Sequence, residues 1–427
     1  MFAKTKPLRK NFDPSLRKIN RNATIVYSEA QPAQLNLASE HRMALYEVLL
    51  IGSPSAVQTE ALTTQLEDVA KIFSLEMPRD IAIRNAADVT SRNPKAATVA
   101  LYFGGDPNAD AKIVDQLEAA KVPIVPVVEK GASVTDVVPA EIAHTNACLL
   151  EANDATLEAL ASVTLEALGL LHRQRRIFIS YRRSDAREAA LQLHDELSSR
   201  GFDVFLDTHD IRPAVSFQEM LWHRLSDCDV TVMLDTKDYF GSKWTAEELG
   251  RSQALGIQIL RVVWPDHSGS RHLSLSDTVT LSNSDLDAGK KLQPELLSTI
   301  ARRAEALRSR SIATRHLDLV GRLKSEVTRI GGRFEGIGAY RSVSLTLPRG
   351  RSLEAYPMVG VPTAEMLNDI QAKAGKAGHG RFPCLVYNHI GIRPAWLEHL
   401  QWLDAQISSV RTLKVSDAGW ELVGWDQ

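Results

Sequence analysis

Between residues 45 and 265, short apolar runs alternate with segments of helical periodicity, and that alternation restricts the fold more than any other feature. Tyr46-Glu47-Val48-Leu49-Leu50-Ile51 reads as a buried strand that stops at Gly52-Ser53-Pro54. Leu62, Leu66, Val69, Ile72 and Phe73 then fall on one helical stripe. Ala97 to Phe103 is a second strand, ended by Gly104-Gly105, and Ile113, Leu117 and Ala120 mark another helix. Val122 to Val128 is a third strand. Its Pro123 and Pro126 cannot donate ladder hydrogen bonds, which points to an edge position. Gly104-Gly105-Asp106 reads as a plain turn, not as a phosphate loop. Residues 153–172 form a leucine-rich helix ending in the polar seam Arg173-Gln174-Arg175-Arg176. Strands alternating with helices imply a parallel sheet with crossover helices, so the fold class is α/β.

The pattern repeats from residue 177. Ile177 to Tyr181, Phe202 to Leu206, Val230 to Leu234 and Ile257 to Val263 read as strands. Between them lie a helix on Ala190, Leu193 and Leu197, a loop from Asp207 to Phe217, a helix on Phe217, Met220, Leu221 and Leu225, and a helix that begins near Trp244. Residues 266–293 are rich in Ser and Asp and read as a long loop. Leu296, Ile300, Ala304 and Leu307 mark a closing helix.

Residues 311–427 have a different texture and read as a small α+β domain. They hold an amphipathic stretch from Leu317 to Ile330, a half-buried strand from Tyr340 to Leu347, a strand from Pro383 to Tyr387 and a helix on Trp396, Leu397, Leu400 and Leu403. Gly375 to Gly380 reads as a flexible loop. Tyr356, Tyr387, His389 and Trp396 either fill a small core or line a sensing pocket. The chain thus divides into an arm at 1–44, an α/β domain at 45–172, a second at 175–308 and the α+β domain at 311–427.

Charge and cysteine content narrow the function. With 50 Lys+Arg against 52 Asp+Glu, bulk charge does not hold this chain on nucleic acid or an acidic membrane. The first 22 residues carry seven Lys/Arg without a following apolar run, so they read as a solvated basic arm and not as an export signal. No run of about 18 apolar residues exists to span a membrane. Cys148, Cys228 and Cys384 lie far apart, which fits neither a disulfide framework nor a cysteine metal site, and suits a reducing, cytoplasmic setting.

The chemistry gathers at one sheet edge. Phe178 to Asp185 runs from a strand into polar residues that open a helix, which Ser184 or Asp185 could cap. Arg182, Arg183, Asp207 and Asp235 follow strands at their carboxyl ends, where open α/β sheets bind ligands. Ser242-Lys243-Trp244 and Glu248 follow the third strand by a short loop. This set suits a cleft for a charged, planar ligand such as a dinucleotide. Each residue has a plainer reading: Trp244 as a core aromatic, the arginines as solvated or paired with Asp185, the aspartates as turn residues. Thr245-x-x-Glu248 matches a capping box.

Residues 175–308 resemble a Toll/interleukin-1 receptor (TIR) domain. The likeness rests on the order and spacing of Phe178-Ile179-Ser180-Tyr181, Gly201-Phe202-Asp203-Val204-Phe205-Leu206-Asp207, Ile211-Arg212-Pro213, Ser226-Asp227-Cys228-Asp229-Val230, Ser242-Lys243-Trp244-Thr245-Ala246-Glu247-Glu248-Leu249 and Ile257-Gln258-Ile259-Leu260. The resemblance implies a flavodoxin-like sheet and, in the bacterial type, cleavage of NAD+ at the nicotinamide–ribose bond, with NAD+ as substrate and no cofactor. It implies Glu248 as the catalytic carboxylate. Glu247 falls about 100° away on a helix. Tyr181, Arg182, Arg183, Asp207, Asp235 and Trp244 are the implied substrate contacts. The loop Ile211, Arg212, Pro213, Ala214 corresponds to one used for self-association and gating, but Ala214 stands where the family has glycine, which puts its usual turn in doubt.

A carboxylate suits that reaction. Loss of nicotinamide leaves an oxocarbenium-like ribose, which a nearby negative charge stabilises, and the departing base is neutral without a general acid. Water as acceptor yields ADP-ribose; an internal acceptor yields a cyclic product. The resemblance further implies an effector of prokaryotic immune (antiphage) signalling that self-associates and answers an unidentified activator. Residues 45–151 share the order of elements of the tail of that segment without a tryptophan–glutamate pair, since Pro107 to Asp115 offers no match, and read as a non-catalytic domain, either flavodoxin-like or degenerate TIR-like, that could serve docking. Two other functions fit: an adaptor that works by TIR–TIR assembly alone, and a nucleotide-sensing receptor whose TIR domain relays the signal.

Overall fold

The computed structural model describes residues 44–151, 154–206, 217–241, 243–265, 267, 276–378 and 380–426, leaving aside the side chains of 154–155, 217 and 243–246. The basic arm, the loop at 207–216 with Asp207 and Ile211 to Ala214, and the Trp244 side chain lie outside that set. Among the described residues there are three five-stranded sheets.

The first sheet holds β1 (Tyr46–Gly52), β2 (Ile81–Asn85), β3 (Ala97–Phe103), β4 (Ile124–Glu129) and β5 (Cys148–Leu150), all parallel in the order β2-β1-β3-β4-β5. Its helices are α1 (Ala56–Ile72), α2 (Ala111–Ala119), the short α3 (Val134–Val137) and α4 (Asp154–Ala167). Successive side chains of a strand point to opposite faces. Tyr46, Val48 and Leu50 therefore meet α1 and α4, while Leu49 and Ile51 meet α2. Burial on both faces explains the unbroken apolar run of β1.

β4 is not an edge strand, contrary to the reading of its prolines. Val127 accepts from Gly104 and Pro123 from Ala100, so alternate residues bond β3, and Pro126 faces the other way. On that side the ladder to β5 starts only at Val127, so the missing N–H of Pro126 is not needed. β2 and β5 escaped notice because one is half-polar and the other is three residues long.

The second sheet holds β6 (Arg176–Ser180), β7 (Asp203–Leu206), β8 (Val230–Asp235), β9 (Gln258–Val263) and β10 (Asp277–Thr280), again all parallel. Numbered from its own first strand, its order is 2-1-3-4-5, the same as the first sheet and as flavodoxin-like folds. Its helices are α5 (Arg183–Ser199), α6 (Phe217–Asp227) and α7 (Lys243–Ala254). β10 lies in the stretch read as a long loop; of its four residues only Val279 is buried, which leaves no alternation to detect.

A single helix, α8 (Pro294–Arg329), runs through the place where a boundary was expected near residues 308–311. Ser309-Arg310-Ser311 contains neither Gly nor Pro to stop it. Ile300, Ala304 and Leu307 enter the core of the second sheet, Ile312 and Ala313 that of the first, and Leu319, Leu323 and Val327 that of the third.

The third sheet orders β11 (Arg333–Ile337), β12 (Val343–Thr346), β13 (Ser352–Pro357), β14 (Phe382–Tyr387) and β15 (Arg411–Lys414), antiparallel as far as β13 and parallel beyond it. α9 (Ala364–Ala377) and α10 (Pro394–Gln406) cover one face, α11 (Ala418–Trp425) and α8 the other. The first three residues of the expected loop, Gly375 to Ala377, are the last turn of α9, which closes at Gly378 in the left-handed region at φ 63°. Tyr356, Tyr387 and Trp396 pack in the core under α9 and α10.

Ionic contacts tie these parts together. The fully buried Arg308 of α8 donates to Asp229 (3.0 Å), to Glu166 of α4 (2.6 Å) and to the His172 carbonyl. Asp229 also meets His172 Nε2 at 3.1 Å. Burial alone would raise the Asp229 carboxyl, but His172 and Arg308 outweigh it and hold it down at about 2.

Candidate functional site

At the carboxyl end of β6 the structure brings Ser180 against Glu248 of α7. β6 ends on Ser180 and β8 on Asp235, while α7 begins at Lys243 and carries Glu248 in its second turn. Glu248 is 1% exposed, and its Oε2 accepts a hydrogen bond from Ser180 Oγ at 2.5 Å. Ser180 Oγ lies 2.6 Å from the Tyr239 hydroxyl. A serine hydroxyl has one proton to give. With that proton on Glu248, Tyr239 is the donor in the second contact. Behind them Met233, Tyr239, Leu249 and Ile259 form an apolar wall. The Ser252 hydroxyl bonds the Glu248 carbonyl, fixing the helix turn that bears the carboxylate.

This geometry answers the capping-box reading. α7 starts two residues before Thr245, so Thr245 is inside the helix, and the Glu248 carboxylate reaches across to β6. Glu247 lies elsewhere, with Gln218 Nε2 at 3.5 Å.

The other candidates separate into three groups. Arg182 is half-buried beside the site, its Nη1 3.3 Å from Asp185 and 3.4 Å from Asp238. Arg183 is exposed at the first turn of α5. Asp235 is fully buried and engaged within the sheet: Arg261 grips Oδ2 through Nε and Nη2 at 2.6 and 2.5 Å, and His267 Nε2 is 3.2 Å from Oδ1. It anchors β8 to β9. Tyr181, just past β6, is buried and packs in the hydrophobic core with Ile177 and Ile179. Asp207, the segment from Ile211 to Ala214 and the Trp244 side chain fall outside the described residues.

The expected cap of α5 is also different. Arg182 occupies the cap position without a side-chain hydrogen bond, and Asp185 instead takes hydrogen bonds from Ser184 (2.7 Å) and Thr236 (3.0 Å). Burial pushes its carboxyl up, but these hydroxyls and Arg182 outweigh that and leave it below its ordinary value.

Sequence reasoning missed Ser180 and Tyr239 as site residues. Ser180 did carry a signal: a small hydroxyl ends a strand whose other central positions are apolar. Tyr239 carried none, since it lies in a short connection after β8.

The first sheet has a related arrangement. Asp110, next to the start of α2, accepts from the backbone N–H of Gly52 at 2.9 Å. A carboxylate near the helix after the third strand thus again meets the end of the first strand, which the 107–115 sequence did not suggest. Gly52 has φ 80° and leaves no room for a side chain, since a Cβ would lie 2.4 Å from the Phe103 carbonyl oxygen. No hydroxyl equivalent to Ser180 can stand there.

Among the described residues, no three His, Cys, Asp or Glu side chains are placed to hold a metal ion, and no helix is long and apolar enough to cross a membrane.

A family model of the TIR domain matches residues 177–296. No curated protein matches the chain. Among solved structures, the CMP N-glycosidase BcmB of Clostridium botulinum is similar at 14% identity, covering 30% of this chain and 97% of its own, with a TM-score of 0.23. A protein described as a two-component response regulator with a GGDEF domain is 15% identical over 61% of this chain and 98% of its own, with a TM-score of 0.26.

Proposed function

Since residues 177–296 of this chain are a TIR domain, we propose that it is an NAD+ nucleosidase in which Glu248 is the catalytic carboxylate. The observation that carries this reading is the position of Glu248: buried at the carboxyl edge of a flavodoxin-like sheet and held by Ser180. In the proposed reaction the bond between ribose C1′ and the nicotinamide nitrogen breaks. Nicotinamide leaves with the bonding pair as a neutral molecule. The ribose becomes cationic, and the Glu248 carboxylate stabilises that charge as it develops. Water then adds to C1′ and loses a proton, giving ADP-ribose; an internal acceptor would give a cyclic product instead. Holding the sugar against one fixed carboxylate supplies much of the rate. In this reading Arg182 and Arg183 would meet the pyrophosphate and Trp244 would take the nicotinamide side, the roles that the resemblance implies. NAD+ is the substrate and no cofactor is required.

The biological role that goes with this chemistry is an effector of prokaryotic immune signalling, active on self-association. A second reading is favoured by the near-complete burial of Glu248. In that reading the carboxylate is a structural strut and the TIR domain acts as an adaptor through assembly. Chromatography of nicotinamide released from NAD+ by clustered protein decides between them. Release by wild type and by Glu247→Ala, but not by Glu248→Gln, supports the enzyme; no release at any degree of clustering supports the adaptor.

A further inference from the structure

A cavity of about 290 Å³ lies far from Glu248, at the opposite end of the second sheet. Leu255, just past α7, forms one wall; Arg315, Leu319 and Arg322 of α8 form the second; Met358 and Asn388 form the third. The third wall is the informative one. Met358 follows β13 and Asn388 follows β14, so the cavity opens at the carboxyl ends of parallel strands, the edge where α/β sheets take ligands. A crevice of about 450 Å³ shares Arg322 and continues past Ser416, beyond β15.

The lining has a definite chemistry. Arg315 is locked in place by donating to the carbonyls of Cys228 (2.7 Å) and Ser226 (2.9 Å), which hold the guanidinium without neutralising it. Arg322 stands at the mouth, paired only loosely with the exposed Asp318 at 3.6 Å. Among the lining residues two guanidinium groups stand against one carboxylate, and Asp227 and Asp229 behind Arg315 are themselves paired with Arg176 and Arg308, so the wall keeps a net positive charge. Leu255, Leu319 and Met358 supply an apolar surface beside that charge. The volume is at the small end for ligand sites.

We propose that this cavity binds a small organic anion, one phosphate or carboxylate on a compact planar or apolar body. Its place gives the ligand leverage: Leu255 lies one residue past the helix that carries Glu248. The site stands whether or not the chain cleaves NAD+.

The test uses calorimetry on the full chain carrying Glu248→Gln, in the absence of NAD+. The probes are AMP, nicotinate and uncharged adenosine. Binding of AMP identifies a phosphomonoester site and binding of nicotinate a carboxylate site; adenosine should bind at least tenfold more weakly than AMP. Arg322→Glu should weaken binding about tenfold or more, as loss of a charge-assisted contact does. Ile390→Trp, which fills the mouth from an exposed position, should do the same. Bound anion should also slow amide hydrogen exchange around residues 313–322. No binding of either anion at millimolar concentration overturns the proposal. So does binding that both substitutions leave unchanged, which would place the anion elsewhere, the neighbourhood of Glu248 included.

Discussion

Ser180 and Glu248, 68 residues apart in the chain, are joined by a 2.5 Å hydrogen bond between a strand end and a helix, with both side chains 1% exposed. A buried carboxylate without such a partner would bear the full cost of desolvation. The bond therefore does two things at once: it offsets the burial of Glu248 and it fixes the direction in which the carboxylate points.

Replacing Ser180 by Ala should lower nicotinamide release by about 10- to 100-fold, the equivalent of a hydrogen bond to a charged group worth roughly 1.5–3 kcal/mol. Tyr239→Phe removes a hydroxyl one step further away and should cost about tenfold or less. Turnover numbers and KM for both variants check this. A fall in turnover with KM unchanged fits a positioning role; a rise in KM alone does not.

Arg308→Ala should destabilise the whole chain by about 3–5 kcal/mol, because it strands Asp229 without its buried partner and also removes a contact to Glu166. The same network sets an acid limit. The Asp229 carboxyl titrates at about 2 when folded and near its ordinary 3.8 when unfolded. Its folded value is depressed, so its contribution is present in full above pH 4 and fades as the pH falls towards 2. From the shift it amounts to about 2 kcal/mol. Chemical denaturation at steps between pH 5 and pH 2 should show that loss in wild type and not in Asp229→Asn.

His223 of α6, 5.7 Å from the ring of Trp396 of α10, gives a second and separate pH window. Burial, then the charges of Arg393, Arg224 and Arg176, push it down to about 4 from its ordinary 6.5. The unfolded chain takes up this proton first. Stability from a neutral His223 is therefore complete above pH 6.5 and declines as the pH falls to 4, by about 1–2 kcal/mol after screening at this partly exposed site. His223→Gln should flatten the melting temperature across that interval; an unchanged slope would remove His223 as the cause.

Much of the fold was legible because burial on both faces of a parallel sheet writes continuous apolar runs, as in β1, β3, β6 and β8. Strands without that burial left little trace: β10 buries one residue and β5 has three. α8 read as two helices because its buried side shifts as it passes from one sheet to the next, so no single stripe persists over its length. At the site, Glu248 was singled out by the resemblance of Ser242 to Leu249 to the TIR motif, since its spacing alone also fits a capping box. Its partner Tyr239 was not, since a hydroxyl brought in by a short connection leaves no periodic pattern. Tyr181 and Asp235 look like site residues in sequence because they are polar-capable residues next to strand ends. The structure gives one to the core and the other to Arg261.

Nicotinamide release from NAD+ by clustered protein, measured side by side for wild type and Glu248→Gln, tests the central claim most directly. The account predicts steady release by wild type and a loss of at least 100-fold in Glu248→Gln, with the variant still folded by circular dichroism. Equal release from both proteins, or none from wild type however densely it is clustered, would contradict it.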